Sequence, residues 1–326
     1  MNRERAQLFS FFIVVLPGMM AMLLSTGAAH AALLAYEPFE FGDVAVPAEG
    51  QYALGNENGG INVLGGQNPL IGPTAFYGGA WVQSGGDSQA VKALPSLSFP
   101  GFAAGIGGIQ QETVQFDCCT FGRSGRPLAQ TLGQGLAQDT IYESFLIDFG
   151  TQGTDSATDF GKRAHELWNG GVGDSFLAID LFLNHFDGTN ELTLEVTTAG
   201  NGTTSVPVNG GGLDLNTLAG THLVVMKYQF NPFAPDVVSV FLDPVPANPE
   251  PGVPSAQISV ATSDLQITHQ GAFTQFTFSG SGHVPGAIDE IRWGDTFADV
   301  TPLPEPGAAA LLGAGAVMLI RARRRP

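Results

Sequence analysis

Ser175-Phe-Leu-Ala-Ile-Asp-Leu-Phe-Leu183, Asn184-His-Phe-Asp-Gly-Thr-Asn190 and Glu191-Leu-Thr-Leu-Glu-Val196 read as strand, turn and strand. In the last of these, Leu192, Leu194 and Val196 share one parity, and Glu191, Thr193 and Glu195 share the other. That is the period of a half-buried strand. Asp187-Gly188 supplies the positive-φ residues of a tight hairpin. The same grammar extends outward. Ile141 to Phe149 is a β-branched and aromatic run. Thr221 to Phe230 and Asp236 to Leu242 form a second hairpin, with Val238, Val240 and Leu242 on one face.

Further runs are shorter. Leu33 to Phe41 opens the set, with Pro38 suited to an edge. Ala80-Trp81-Val82, Ala90 to Phe99, Glu112 to Phe116, Thr203 to Val208, Gln257 to Thr268, Ala272 to Phe278 and Ala287 to Trp293 complete it. Pro244 to Pro254 reads as an extended connection, because strands resume after it. Two stretches resist the pattern. Leu128, Leu132 and Leu136 recur every four residues, which suits one short helix, although Gly133 and Gly135 weaken it. Thr151 to Gly173 is a polar excursion with a helical turn expected near Arg163 to Trp168. The whole predicts an all-β sandwich of roughly twelve strands, more than a minimal immunoglobulin domain holds.

Both ends stand apart. Arg3 and Arg5 precede the apolar run Leu8 to Leu24, and Ala29-His30-Ala31 places small residues where a signal peptidase reads. Residues 1–31 thus read as a secretory signal peptide with cleavage expected after Ala31, an uncleaved N-terminal anchor being the alternative that Pro17 and Gly18 argue against. At the other end, Pro304-Glu305-Pro306 precedes the uncharged run Gly307 to Ile320, and Arg321, Arg323, Arg324 and Arg325 follow. As a helix that run spans roughly 21 Å, short of the ~30 Å hydrocarbon core. Lys/Arg clusters stay cytoplasmic, so the chain before Pro304 is expected outside the cytoplasm. The three-part tail, residues 302–326, resembles the PEP-CTERM sorting signal of Gram-negative, matrix-forming bacteria. That resemblance implies processing by an exosortase-type enzyme. It also implies a transient hold in the inner membrane through a C-terminal transmembrane helix, then delivery to the cell surface or extracellular matrix.

Removing both ends leaves the body, residues 32–301. The ends take six of the 13 Lys+Arg residues and two of the 30 Asp+Glu, so 7 basic and 28 acidic residues remain between them, a net −21. Such a surface repels nucleic acid and anionic lipid. Cys118 and Cys119 are adjacent and have no third cysteine, so no long-loop bridge is possible. The opening Tyr36-Glu-Pro-Phe-Glu-Phe41, the Thr221–Phe230 and Asp236–Pro244 pair and the closing Ile288-Asp-Glu-Ile-Arg-Trp-Gly294 resemble laminin-G/concanavalin A-like jelly rolls. The resemblance implies that the first and last strands are neighbours, with Phe39 or Phe41 near Ile291.

Glycosidases need two carboxyl groups roughly 5–9.5 Å apart. Glu191 and Glu195 share a face but stand roughly 13 Å apart along a strand. Asp289 and Glu290 are adjacent and should point to opposite faces as strand-end charges. His165-Glu166 starts like a zinc-protease helix, but Asn169 stands where the second histidine belongs. His222 and His269 fall on strands, as satisfied sheet residues. The reading is therefore non-catalytic and without a resident metal site. Of the three tryptophans, Trp293 belongs in the core. Trp81, beside Asp87 and several glycines, is the surface candidate for stacking on a sugar ring. A calcium ion would find oxygen ligands around Asp187 and Asn190, which a plain turn explains equally well. The partners expected are thus signal peptidase, the sorting enzyme, the inner membrane through the tail and matrix polysaccharide. The role is structural or adhesive, with carbohydrate binding as the alternative and glycoside hydrolysis a distant third.

Overall fold

A computed structural model describes residues 33–39, 76–85, 90–92, 95–102, 109–111, 122–133, 140–149, 160–170, 177–186, 189–198, 202–210, 218, 220–246, 249–260, 265–277 and 286–302. All of them fall within one compact unit, Leu33–Pro326; the other, Met1–Ala32, lies outside the described residues. So do the signal-peptide residues Ala29 and Ala31, the tail from Pro304 to Arg325, and Cys118 and Cys119. Among the described residues no helix is long and apolar enough to cross a membrane.

Two antiparallel sheets account for the described strands. The first contains β1 (Leu33–Glu37), β3 (Ala90–Lys92), β4 (Ile109–Gln111), β6 (Thr140–Asp148), β11 (Thr221–Gln229), β12 (Asp236–Leu242), β13 (Ala256–Val260) and β15 (Ala287–Gly294). Its order is β13-β12-β11-β6-β15-β4-β3, with β1 also on β15. The second contains β2 (Val82–Gly85), β5 (Gly122–Leu132), β7 (Phe160–Asn169), β8 (Leu177–Phe186), β9 (Thr189–Thr198), β10 (Gly202–Pro207) and β14 (Ile267–Thr277). Its order is β10-β9-β8-β7-β14-β5-β2.

The main core lies between the sheets and follows strand parity. Ile141, Phe145 and Ile147 of β6 point into it, as do Val224, Met226 and Tyr228 of β11, and Leu192, Leu194 and Val196 of β9. The opposite parity of the first sheet is also buried. Tyr142, Leu146, Leu223, Val225 and Phe241 pack against Phe102 and against Phe297 and Val300 of α1 (Phe297–Val300). Thr296 and Asp299 close a capping box at the start of this single turn, which satisfies amides that a short helix leaves open. A β6 buried on both faces explains why Ile141 to Phe149 reads as a continuous apolar run.

Three local expectations need correcting. Gly122 to Leu132 is a strand, not a helix. A spacing of four is a multiple of two as well as near 3.6, so Leu128 and Leu132 share one strand face and are both buried. Phe160 to Asn169 is likewise a strand, with an irregularity between Arg163 and His165. Its polar sequence hid it, because its His165 and Glu166 are fully buried. The third concerns β15, where a bulge falls between Asp289 and Arg292. Ile288 and Ile291 both face the inter-sheet core, so Asp289 and Glu290 both project from the other side instead of opposite ones. Glu290 reaches this with φ 56, a backbone choice that costs a non-glycine residue about 1–2 kcal/mol.

Pairing of the first and last strands is present, with Tyr36 opposite Arg292 and Glu37 opposite Ile291. Phe39 follows two residues later and is buried; Phe41 lies outside the described residues.

Candidate functional site

The outer face of the second sheet is decided by its inner one. Leu167 and Ile179 are directly opposed and both join the core. Their chain neighbours Glu166 and Trp168, with Asp180 across from Glu166, therefore point outward. Continuing across the strands, Glu195 stands opposite Asp180, and Gly271 opposite Glu166. Gly125 lies beyond, opposite Gly271. Three carboxylates from β9, β8 and β7 thus form one transverse row. Directly opposed residues hold their Cβ atoms about 4.5–5.5 Å apart. No spacing along the chain announces this row, because its members come from three strands.

Beside the row, the rings of Trp168 and His269 stack with centroids 5.4 Å apart and planes 6° apart. Gly125 makes room for the indole: a Cβ there would stand 1.9 Å from Cη2 of Trp168. Burial pulls the His269 imidazole below its ordinary value, so it is neutral at neutral pH. The row can accept hydroxyl donors only where a carboxylate reaches solvent. Its depth is uneven, however. Glu166, Asp180 and Trp168 are all 0% exposed, whereas Glu195 and His269 are half-buried.

A second polar array lies between the sheets. On one side, Tyr228 donates its hydroxyl to Glu143 Oε2 at 2.8 Å, and His165 Nε2 is 3.0 Å from the same oxygen. The Tyr228 ring stacks on Trp293, with centroids 5.8 Å apart. Trp293 donates Nε1–H to Gln270 Oε1 at 2.9 Å, and Tyr77 donates its hydroxyl to the same oxygen at 3.1 Å. The Arg126 guanidinium lies 4.2 Å from the Tyr77 ring centre and pairs with Glu37. Burial first, then the Glu143 carboxylate, pushes the Tyr228 hydroxyl well above its ordinary value, so it stays a donor. Glu37, Glu143, Tyr228 and Trp293 belong to the first sheet; Arg126, His165 and Gln270 belong to the second. The array pins the sheets together and is closed to solvent: Glu37, Arg126, Glu143, His165 and Gln270 are each buried.

Of the residues singled out from sequence, Trp81 is the clearest correction. It is 1% exposed, with its ring 6.1 Å from that of Phe39. Its neighbour Val82 takes the outward position instead, so Trp81 offers no ring to a ligand. Asp87 and Asp187 lie outside the described residues; Asn190 opens β9 opposite His185. Trp293 is fully buried. His165-Glu166 sits on a strand, so the zinc-helix reading fails on structure as well as on spacing. His222 is held by Asp243 at 2.8 Å. Among the described residues no group of three metal-type side chains is close enough to hold an ion.

No family model matches the chain, and no curated protein does. It is similar in structure to an endo-β-1,4-glucuronan lyase from the fungus Trichoderma reesei, at 15% identity and a TM-score of 0.40, over 66% of this chain and 89% of that one. It is similar to an endo-1,3-β-glucanase from Streptomyces sioyaensis at 10% identity and a TM-score of 0.43, over 80% and 95% of the two chains. It is also similar to the botulinum neurotoxin serotype C1 binding domain at 10% identity and a TM-score of 0.39, over 72% and 47%.

Proposed function

We propose that this is an exported, non-catalytic protein of the cell surface or extracellular matrix, with a concanavalin A-like jelly-roll body in a structural or adhesive role. The observation that carries it is the sequence of features at 304–325: Pro304-Glu305-Pro306, then an uncharged span to Ile320, then the arginines at 321, 323, 324 and 325, set against a strongly acidic body. In this reading signal peptidase removes residues 1–31, the tail holds the protein briefly in the inner membrane, and an exosortase-type enzyme processes it. Replacing Pro304, Glu305 and Pro306 with alanine tests this: the unprocessed form should accumulate in the membrane fraction. Unchanged size and release would overturn it.

Among the described residues, the burial of the acidic row supports the non-catalytic reading, since only its Glu195 is half-buried. Glu166 and Asp180 are paired across two strands at a spacing a retaining glycosidase could use, but neither is exposed. The second reading is carbohydrate binding, which the half-buried Glu195 carboxylate and His269 ring of the second sheet's outer face favour. A glycan array on the released body separates the two. Silence across matrix polysaccharides, with and without calcium, leaves the structural role alone.

A further inference from the structure

The bulge in β15 places two carboxyl groups side by side beneath a segment that carries no charge. Pro95-Ser-Leu-Ser-Phe-Pro-Gly-Phe102 crosses the outer face of the first sheet. Its Leu97 and Phe99 pack against the Tyr142, Leu146 and Phe241 cluster, and its Phe102 is a buried member of that cluster. Among the described residues, one polar bond ties its backbone to the sheet strands: Leu97 N–H donates to Asp289 Oδ2 at 3.0 Å. Asp289 Oδ1 takes the Glu290 N–H at 2.8 Å. Glu290 accepts the Tyr36 hydroxyl at 2.8 Å and Arg292 Nη2 at 2.8 Å. The Arg292 guanidinium is itself held between Tyr36, 4.4 Å from its ring centre, and Phe102, 5.3 Å from its ring centre. Asp289 and Glu290 are both 0% exposed.

We propose that Pro95–Phe102 is an acid-latched strap, closed over the outer face of the first sheet while the Asp289 carboxyl is neutral and released when Asp289 and Glu290 are both charged. The reason is a count of charges. The strap contributes no titratable group. From β15 come Glu290 and Arg292; from β1 come Tyr36 and, on the inter-sheet side, Glu37. Opposite Asp289, β6 offers Leu146, with Ser144 beyond it. Among the described residues Arg292 is the one cation in this group, and it is paired with Glu290. A second negative charge would be buried against the first with no described cation of its own, eased only by the Leu97 and Glu290 amides, whose pull is smaller than that of burial and the Glu290 charge. Burial, then the Glu290 charge, also raises Asp289 well above the ordinary carboxylate value of 3.8. The sign follows. The closed form holds a proton that the open form releases, so closure is complete at low pH and is lost as pH rises through the closed-state value.

Opening would bare Phe99, Phe102 and the apolar face beneath them. Hydrogen exchange on the full chain tests this, reading protection at the Leu97 amide against that at Val225 in β11. Between the ordinary carboxylate value and the raised one, Leu97 protection should fall about tenfold per pH unit while Val225 protection holds. In Asp289→Asn the Leu97 protection should lose that slope. A Leu97 protection independent of pH, or one falling equally in Asp289→Asn, overturns the strap. If that variant fails to fold, the wild-type slope decides alone: parallel loss at Leu97 and Val225 means global unfolding and sinks the proposal.

Discussion

Replacing Gly125 with alanine tests whether the outer face of the second sheet is packed as described. The added Cβ would lie 1.9 Å from Cη2 and 2.3 Å from Cζ2 of Trp168, and 3.1 Å from the Gln270 carbonyl oxygen. Carbon atoms sit comfortably about 3.5–4.0 Å apart, so the indole must retreat by well over an ångström. It has nowhere easy to go, being fully buried and stacked on His269. Overpacking costs about 1–3 kcal/mol, and this site belongs at the upper end. Alanine recovers about 0.5–1 kcal/mol through its smaller loss of backbone freedom. The net loss is about 2 kcal/mol, worth roughly 4–8 °C in Tm for a body of this size. Denaturant unfolding followed by far-UV circular dichroism measures it in a double-mutant cycle with Trp168→Ala. Trp168→Ala alone should cost about 3–5 kcal/mol. In its background Gly125→Ala should become neutral or mildly stabilising, giving a coupling of about 2–3 kcal/mol. Effects that add within about 0.5 kcal/mol would refute the packing argument.

The inter-sheet array makes a different demand. Glu37→Ala leaves the Arg126 guanidinium buried without its carboxylate and should cost about 3–5 kcal/mol, whereas Glu37→Met with Arg126→Met should recover most of it; denaturant midpoints of the three proteins check this, and an equal loss in the double variant would contradict it. His222 supplies the pH dependence. Burial pulls its imidazole down, but the hydrogen bond and charge of Asp243, with the Leu218 carbonyl and Asp148, lift it above its ordinary 6.5. Its stabilisation is therefore complete below about 6.5 and is lost as pH rises through the raised value. Urea unfolding of wild type and Asp243→Asn should differ most at the acid end of that window and converge above it; a constant difference would rule the pair out as the cause.

What could be read from the residues divides by how local the signal is. The Leu192, Leu194, Val196 alternation and the Val238–Val240 face need only a strand's period, and both stand as read. The β11–β12 hairpin likewise follows from two runs and a short turn. β5 and β7 were obscured for opposite reasons. In β5 a leucine spacing of four satisfies both periods. In β7 the core-facing His165 is polar, because its partner Glu143 arrives from the other sheet. The acidic row was invisible, since Glu166, Asp180 and Glu195 meet only after β7, β8 and β9 pair. Trp81 misled because flanking glycines signal a turn, yet the residue beside a turn can still point inward. The Asp289–Glu290 error has one cause: a bulge adds a residue, and every parity argument beyond it shifts.

The placement of cations bears on what the body can hold. Three of its seven basic side chains are described, and each is engaged. Arg126 pairs with Glu37 between the sheets, Arg292 with Glu290 under the strap, and Lys227 with Glu250 at 2.8 Å over the first sheet. None of the three is free to meet a ligand's carboxylate. The half-buried part of the candidate face offers Glu195, an acceptor with negative charge, and a neutral His269. An acidic polysaccharide approaching it would meet repulsion within roughly 10 Å at moderate salt. A neutral polysaccharide would meet hydroxyl acceptors and a ring. If the face binds glycans, neutral ones should bind in a chelator-containing buffer, and uronate-bearing ones should bind only when calcium bridges Glu195 to the glycan's carboxylates. The array comparison with calcium and with chelator reads this directly. Glu195→Gln should weaken the calcium-dependent signal most, because it removes a charge the bridge needs while keeping a hydroxyl acceptor. Strong chelator-resistant binding of uronate glycans would mean that cations outside the described residues form the true site, and would overturn this assignment of the face.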